Sequence, residues 1–217
     1  MEILYPVLAT LAAYLVGSLS FAVIVSKLMR LNDPRTYGSK NPGATNVLRS
    51  GSKFAAVVTL VLDALKGFVP VFWVQQFGPA YGLGDGTLAT VAFAAFMGHL
   101  YPVFFKFKGG KGVATAAGVI FGIHWLLGLA CIASFGIILF FSRYVSLASI
   151  TAAAFAPFYY LFGDRAAWYT SKSVLLAIFL MALLLAYRHR ENINRLLKGT
   201  ESRFGGHKTA TKTLNKH

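Results

Sequence analysis

Apolar residues run almost unbroken over positions 3–28, 54–75, 87–105, 113–141, 147–162 and 173–187, and the charged residues gather between those runs. Runs of this length that are apolar on every side predict helices that cross a bilayer. The charges between them set direction. Arg30, Arg35, Lys40, Arg49 and Lys53 crowd the first connection, whereas 75–86 holds no Lys or Arg and includes Asp85. Lys106, Lys108 and Lys111 follow the third run, and Arg188, Arg190, Arg195, Lys198 and Arg203 follow the last. The excess of positive charge on inside loops then predicts an outside N-terminus and a cytoplasmic C-terminus.

That orientation requires an odd number of crossings, so one of the six runs is double. The run 113–141 is interrupted by Gly122-Ile123-His124 and followed by Arg143. Split there, it gives helices of about 14 residues, or about 21 Å against roughly 30 Å of hydrocarbon. The expectation is an all-α integral membrane protein with seven transmembrane helices, the fourth short. Residues 1–201 read as a single polytopic membrane domain and 202–217 as a basic, disordered cytoplasmic tail. No repeat of spanning length marks a twofold transporter.

Composition agrees. Of the 217 residues 56% are hydrophobic and 13% charged, about half the charge of a soluble domain. Lys and Arg outnumber Asp and Glu by 21 to 7, but they lie between apolar runs and do not tile one face, which excludes a nucleic-acid partner. Glu2 and the absence of a basic n-region make 3–28 a retained first span. The lone Cys131 excludes an intrachain disulfide and a cysteine-based zinc site.

Three inside segments carry the chemistry. In 37–49, Ser39, Asn41, Gly43, Thr45 and Asn46 precede Arg49. Small residues, hydroxyl and amide donors and a guanidinium suit an anion cradle. A Gly/Pro/Asn turn with topogenic charges accounts for the same residues, and residue types alone leave both readings open. In 98–115, Gly109, Gly110 and Gly112 surround Lys111 just before an apolar helix, which places amides, a helix N-terminus and an ammonium together. A phosphate site is favoured here over a plain chain break. It is no Walker A loop, since Phe105 and Gly112 stand where glycine and Ser or Thr belong. In 188–201, His189, Asn192 and Arg195 or Leu196 share a helix face, and alone the segment reads as an amphipathic membrane-surface helix in preference to a site.

Asp63 and Lys66, at i and i+3 near the bilayer midplane, read as a structural ion pair in preference to a proton relay. His124 is assigned to the outer interface beside Trp125. His207 and His217 fall in the tail without ligand partners.

Together these segments, with the run Leu62-Asp63-x-x-Lys66-Gly67, resemble the bacterial acyl-phosphate:glycerol-3-phosphate acyltransferase family up to about Glu201. The resemblance implies an inner-membrane enzyme moving an acyl chain from acyl-phosphate to the 1-hydroxyl of glycerol 3-phosphate, without acyl-CoA or acyl carrier protein; no cofactor is expected, and no metal, since the motifs lack the clustered carboxylates of a magnesium phosphate site. It implies catalytic roles for Ser39, Arg49, Lys111, His189 and Asn192. Phosphate binding would fall to Asn41, Gly43, Thr45, Asn46, Gly109, Gly110, Gly112, His99, Arg195 and Glu201. The expected partners are the two substrates, membrane lipid and the enzyme that supplies acyl-phosphate. A transporter for a phosphorylated anion is the rival, and it would need polar groups on both faces. Here the outside connections offer little beyond Asp85, Asp164, Arg165 and Lys172. A scaffold role is weaker still, since glycine loops bearing Lys111 and Arg49 are poor packing material.

Overall fold

The computed structural model describes residues 3–205, which are all-α apart from turns and one isolated bridge, Asp164 to Trp168. The helices are α1 (Leu4–Gly17), α2 (Phe21–Leu28), α3 (Ala44–Val47), α4 (Lys53–Phe77), α5 (Asp85–Leu100), α6 (Val113–Ile123), α7 (Trp125–Ser142), α8 (Val145–Phe162), α9 (Lys172–Arg188) and α10 (Arg190–Leu197). Four of them, α4, α5, α7 and α8, are each long and apolar enough to cross a membrane, counting the turns that extend α4 and α5. The pairs α1–α2 and α9–α10 qualify as broken spans, bent by 45° and 58°, and α6 is a shorter apolar helix.

The double run breaks where its glycine and histidine predict. His124 is extended at φ −159°, and its Nδ1 accepts from the Leu126 amide, which starts α7. The 11 residues of α6 span only about 17 Å. The first run differs from the single helix expected over 3–28. It bends at Ser18–Ser20, where the Ser18 hydroxyl donates to the Tyr14 carbonyl, and Val23 donates to Ser20 in place of Leu19 in the preceding turn. Consecutive glycine and serine residues are a common cause of such bends.

Small residues bring the backbones together. A Cβ at Gly17 would collide with the Ala95 carbonyl, one at Gly98 with the Tyr14 carbonyl, one at Gly67 with Thr115 and one at Gly118 with Ala64. These contacts lock α1 onto α5 and α4 onto α6, as close helix packing in lipid requires. The innermost helix is α5, with Val91, Ala92, Ala95, Phe96 and Leu100 fully buried. Large apolar side chains such as Phe140, Phe141, Phe162 and Leu183 remain exposed, which suits a lipid-facing surface.

The two ends differ. Tyr5, Trp73 and Tyr81 cluster at one end, where His124 also meets Trp168 at 4.6 Å between ring centroids. Aromatic groups of this kind belong at a membrane interface. The donor-rich connections converge at the opposite end. The first four residues of the expected tail, 202–205, are in place there, with the Phe204 amide donating to the Arg143 carbonyl at 2.6 Å. The rest of that tail lies outside the described residues.

Candidate active site

The first connection is organised from within by Asn46. Its Oδ1 accepts from the Ser39 amide at 3.1 Å, and its Nδ2 donates to the Pro34 and Tyr37 carbonyls at 2.6 and 3.2 Å. With 2% of its surface exposed and both ends of its amide engaged, Asn46 shapes the loop and is not free to hold a phosphate. Gly38, at φ +58°, passes so close to Asn46 and to the Arg49 guanidinium that no side chain fits. Ser39, Thr45 and Arg49 remain exposed, while Asn41 and Gly43 are half-buried against each other. Arg49 lines a cleft of about 440 Å³ with Arg30, Tyr37 and Ser50. A second cleft, about 610 Å³, is lined by Arg35, Lys40, Lys106, Lys108 and Gly109.

The glycines of the second connection serve packing first. A Cβ at Gly109 would strike the His99 carbonyl, one at Gly110 would strike His99 Nε2 and lie 2.9 Å from the Pro42 carbonyl, and one at Gly112 would strike Phe96. Gly110 therefore touches the first connection and the end of α5 at once. Arg188 holds the turn from the other side, donating through Nη2 to the Gly109 and Gly110 carbonyls at 2.9 and 3.0 Å. Gly112 takes φ +86° and opens α6, whose first amides have no acceptor within the helix. His99 itself is buried beneath the turn, against Thr115 and Asp63.

Lys111 reaches from this turn to the third segment and donates to Asn192 Oδ1. Asn192 Nδ2 donates to Glu201 Oε1 at 2.6 Å, an oxygen that also accepts from Ser146 at 2.7 Å, and Arg195 donates to Glu201 Oε2 at 2.7 Å. Glu201 thus gathers three donors from α8 and α10. An acceptor-only carboxylate repels phosphate, so its place in the site is to hold Asn192 and Arg195. Burial raises the Glu201 carboxyl, but the three hydrogen bonds outweigh it and keep the group ionised. Burial pushes the Lys111 ammonium down to about 8, with Glu201 and Glu191 opposing the shift and Arg195 and Arg188 adding to it.

His189 sits at the corner between α9 and α10, 3% exposed. Its Nδ1 lies 2.8 Å from the Leu185 carbonyl, which can only accept, so Nδ1 carries the hydrogen and the neutral ring presents a bare Nε2. Burial drives its pKa down to about 4.

Residues 7–199 match the family model described as glycerol-3-phosphate acyltransferase. The chain belongs to the glycerol-3-phosphate acyltransferase family. A glycerol-3-phosphate acyltransferase of Albidiferax ferrireducens is 65% identical over 205 residues, covering 94% of this chain and 92% of the relative. One from Bordetella petrii is 60% identical over 196 residues, covering 90% and 92%. The crystal structure of PlsY (YgiH), an integral membrane glycerol 3-phosphate acyltransferase, in its glycerol 3-phosphate form superposes with a TM-score of 0.83 at 43% identity, covering 93% of this chain and 96% of that one. Its lysophosphatidic acid form gives 0.81 at 42%, with the same coverage.

Two residues of this constellation escape a reading by residue type. Ser146 is one of several hydroxyls around the start of an apolar run, and nothing in the sequence says that it is the one that meets Glu201. Arg188 reads as a topogenic charge, yet its planar fork matches two successive carbonyls. Its place next to His189 was the available signal.

Proposed function

We propose that this acyltransferase moves an acyl chain from acyl-phosphate to the 1-hydroxyl of glycerol 3-phosphate, giving lysophosphatidate and phosphate. The observation that carries the reading is the join of Lys111 to Asn192, which sets an ammonium and the opening amides of α6 beside the α9–α10 corner. Amides at a helix start and a nearby cation form a strong phosphate site. Arg49, exposed on the adjoining loop, is assigned to bridge the two substrate phosphates, with Ser39, Asn41, Gly43 and Thr45 beside it.

Acyl-phosphate is a mixed anhydride with a good leaving group, so positioning and charge stabilisation dominate. The hydroxyl oxygen bonds to the acyl carbon, and the bond from that carbon to phosphate breaks with its electron pair leaving on phosphate. The hydroxyl proton passes to a substrate phosphate oxygen. His189 accepts a hydrogen bond through Nε2 and orients the hydroxyl; with a pKa of about 4 it is too weak a base for the proton itself.

The basic connections at one end and the aromatic cluster at the other support a cytoplasmic site in the bacterial inner membrane. On that basis α1–α2, α4, α5, α6, α7, α8 and α9 make seven crossings with the N-terminus outside, and residues to Glu201 form one membrane domain. The lipid donor enters laterally from the bilayer, delivered at the same face by the enzyme that makes it. The test is purified protein in lipid with palmitoyl phosphate and glycerol 3-phosphate, and with palmitoyl-CoA in a parallel reaction. Lysophosphatidate from the acyl-phosphate alone is the expected result. Formation from the thioester alone overturns the donor assignment.

A further inference from the structure

We propose that Asp63 and Lys66 are positioning residues for acyl transfer: their buried pair fixes the α1–α2 bend on one side and the ring of His99 beneath the Gly109–Gly110 turn on the other. The two groups lie 2.7 Å apart on α4, with side chains 3% and 2% exposed. A pair so deeply buried needs further partners for its remaining hydrogen-bonding groups. Where those partners lie decides what the pair does.

Lys66 Nζ donates to the Leu19 carbonyl at 2.6 Å. In a continuous helix that carbonyl would accept from the Val23 amide, but Val23 donates to Ser20. Lys66 therefore satisfies the group that the bend sets free. The bend aims α2, which leads into the connection bearing Ser39 and Arg49. It also touches the second connection, since the Ser18 hydroxyl accepts from the Val103 amide and Tyr14 donates to the Tyr101 carbonyl.

The Asp63 carboxylate works through His99, whose ring is oriented by Thr115, itself anchored to the Asp63 main-chain carbonyl. The single hydroxyl hydrogen of Thr115 goes to the Asp63 carbonyl at 2.9 Å. Thr115 Oγ1 must then accept from His99 Nδ1, 3.0 Å away, so Nδ1 carries the ring hydrogen. The Asp63 carboxylate, 3.6 Å from the same nitrogen, favours that placement electrostatically. The bare Nε2 is pressed against Gly110, whose amide donates to the His99 carbonyl at 3.2 Å. His99 is thus a strut under the turn that carries Lys111. Gly67 completes the arrangement by letting α6 approach until Thr115 reaches Asp63. A pair that merely tied helices together would have no need to end on the supports of both loops.

The proposal rests on the acyl-phosphate reading only for its assay. The experiment compares Thr115→Val, Thr115→Ser, Asp63→Asn and the doubly neutral Asp63→Asn/Lys66→Met in lipid, measuring melting temperature, kcat and KM. Nitrogen-15 histidine spectra report the His99 tautomer in each. Thr115→Val is expected to lower the melting temperature modestly, lower kcat about tenfold and mix the tautomer, because the buried Nδ1 loses its acceptor. Thr115→Ser restores all three. The doubly neutral variant leaves no unpaired buried charge, so it folds better than Asp63→Asn while its kcat stays low. Wild-type kcat in Thr115→Val or in the doubly neutral variant, or an Nε2–H ring in the wild type, overturns the proposal. If the wild type makes no lysophosphatidate the donor assignment fails on its own, and the tautomer of His99 then decides.

Discussion

Lys111 and Asn192 stand 81 positions apart in the chain and join ammonium to amide oxygen at the meeting point of the second and third polar segments. The contact spends one of the three hydrogens on Nζ and leaves two for an anion. Lys111→Ala should lower kcat/KM by roughly 10- to 150-fold, the equivalent of about 1.5–3 kcal/mol for a charge-assisted contact. Lys111→Arg should be milder, because the charge survives. At Arg49 the order reverses, and Arg49→Lys should cost nearly as much as Arg49→Ala, since the planar fork is lost in both. Full activity in both alanine variants would remove the phosphate assignment.

The pH profile follows from the same lysine. Burial favours the neutral amine, so Lys111 loses its proton near 8 where a solvated lysine does so near 10.5. The ammonium is present below that value and lost above it. The kcat/KM for glycerol 3-phosphate should therefore fall as pH rises through about 8, and Lys111→Arg should extend the plateau. Between the folded and unfolded values the unfolded chain holds more protons, so this group makes the fold more stable with rising pH. Melting curves taken alongside should show no matching loss. A wild-type profile flat beyond pH 9 contradicts the assignment.

Glu201 should behave as a support. Glu201→Gln keeps the shape but replaces one accepting oxygen with a donor, so Ser146, Asn192 and Arg195 cannot all be satisfied. A loss of about tenfold in kcat/KM is expected, with a lowered melting temperature and a smaller effect from Ser146→Ala. Were Glu201 a direct ligand of phosphate, the neutral glutamine would bind more tightly, and a lower KM in Glu201→Gln would show it.

Apolar run length was enough to read the long apolar helices, and the interruption at Gly122-Ile123-His124 was enough to read the short α6, although the second half of that run is the 18-residue α7 and not a helix of 14. The bend at Ser18–Ser20 was legible in principle from Gly17-Ser18, but the partner of the Leu19 carbonyl there is Lys66, 47 positions away. The site was legible as a set of donors and not as a set of roles. Asn46 and Arg49 look equally suited to an anion by type, yet one turns inward to backbone carbonyls and the other stays exposed. Residue type states what a group can donate or accept; the fold decides which partner takes it.

Orientation can be checked directly. Cysteines at Ser52 and Ser202 should react with an impermeant thiol reagent only from the cytoplasmic side, and one at Gly84, just before α5, only from outside. Ser52 lies at the start of α4 and Gly84 beyond its far end, so the two must differ if α4 crosses. Labelling of both from one side would overturn the topology together with the cytoplasmic site.

The last prediction concerns the proton. A side-chain general base contributes about 100- to 10,000-fold when its pKa lies near the working pH. His189 is held neutral with Nδ1–H on Leu185 and a pKa of about 4, so at neutral pH it offers Nε2 as an acceptor with little tendency to keep the proton. His99 has its Nε2 covered by Gly110, out of reach of a substrate hydroxyl. If a substrate phosphate takes the proton, His189→Asn, which can keep the donation to Leu185, should retain kcat within about tenfold. His189→Gln, which places an amide oxygen near the position of Nε2, should do at least as well, and neither variant should change the shape of the acid limb. That limb should follow the second ionisation of the substrate phosphate, near pH 6. A loss of more than about a thousandfold in kcat for both variants, with KM unchanged and the acid limb abolished, would assign His189 as the base in place of the substrate.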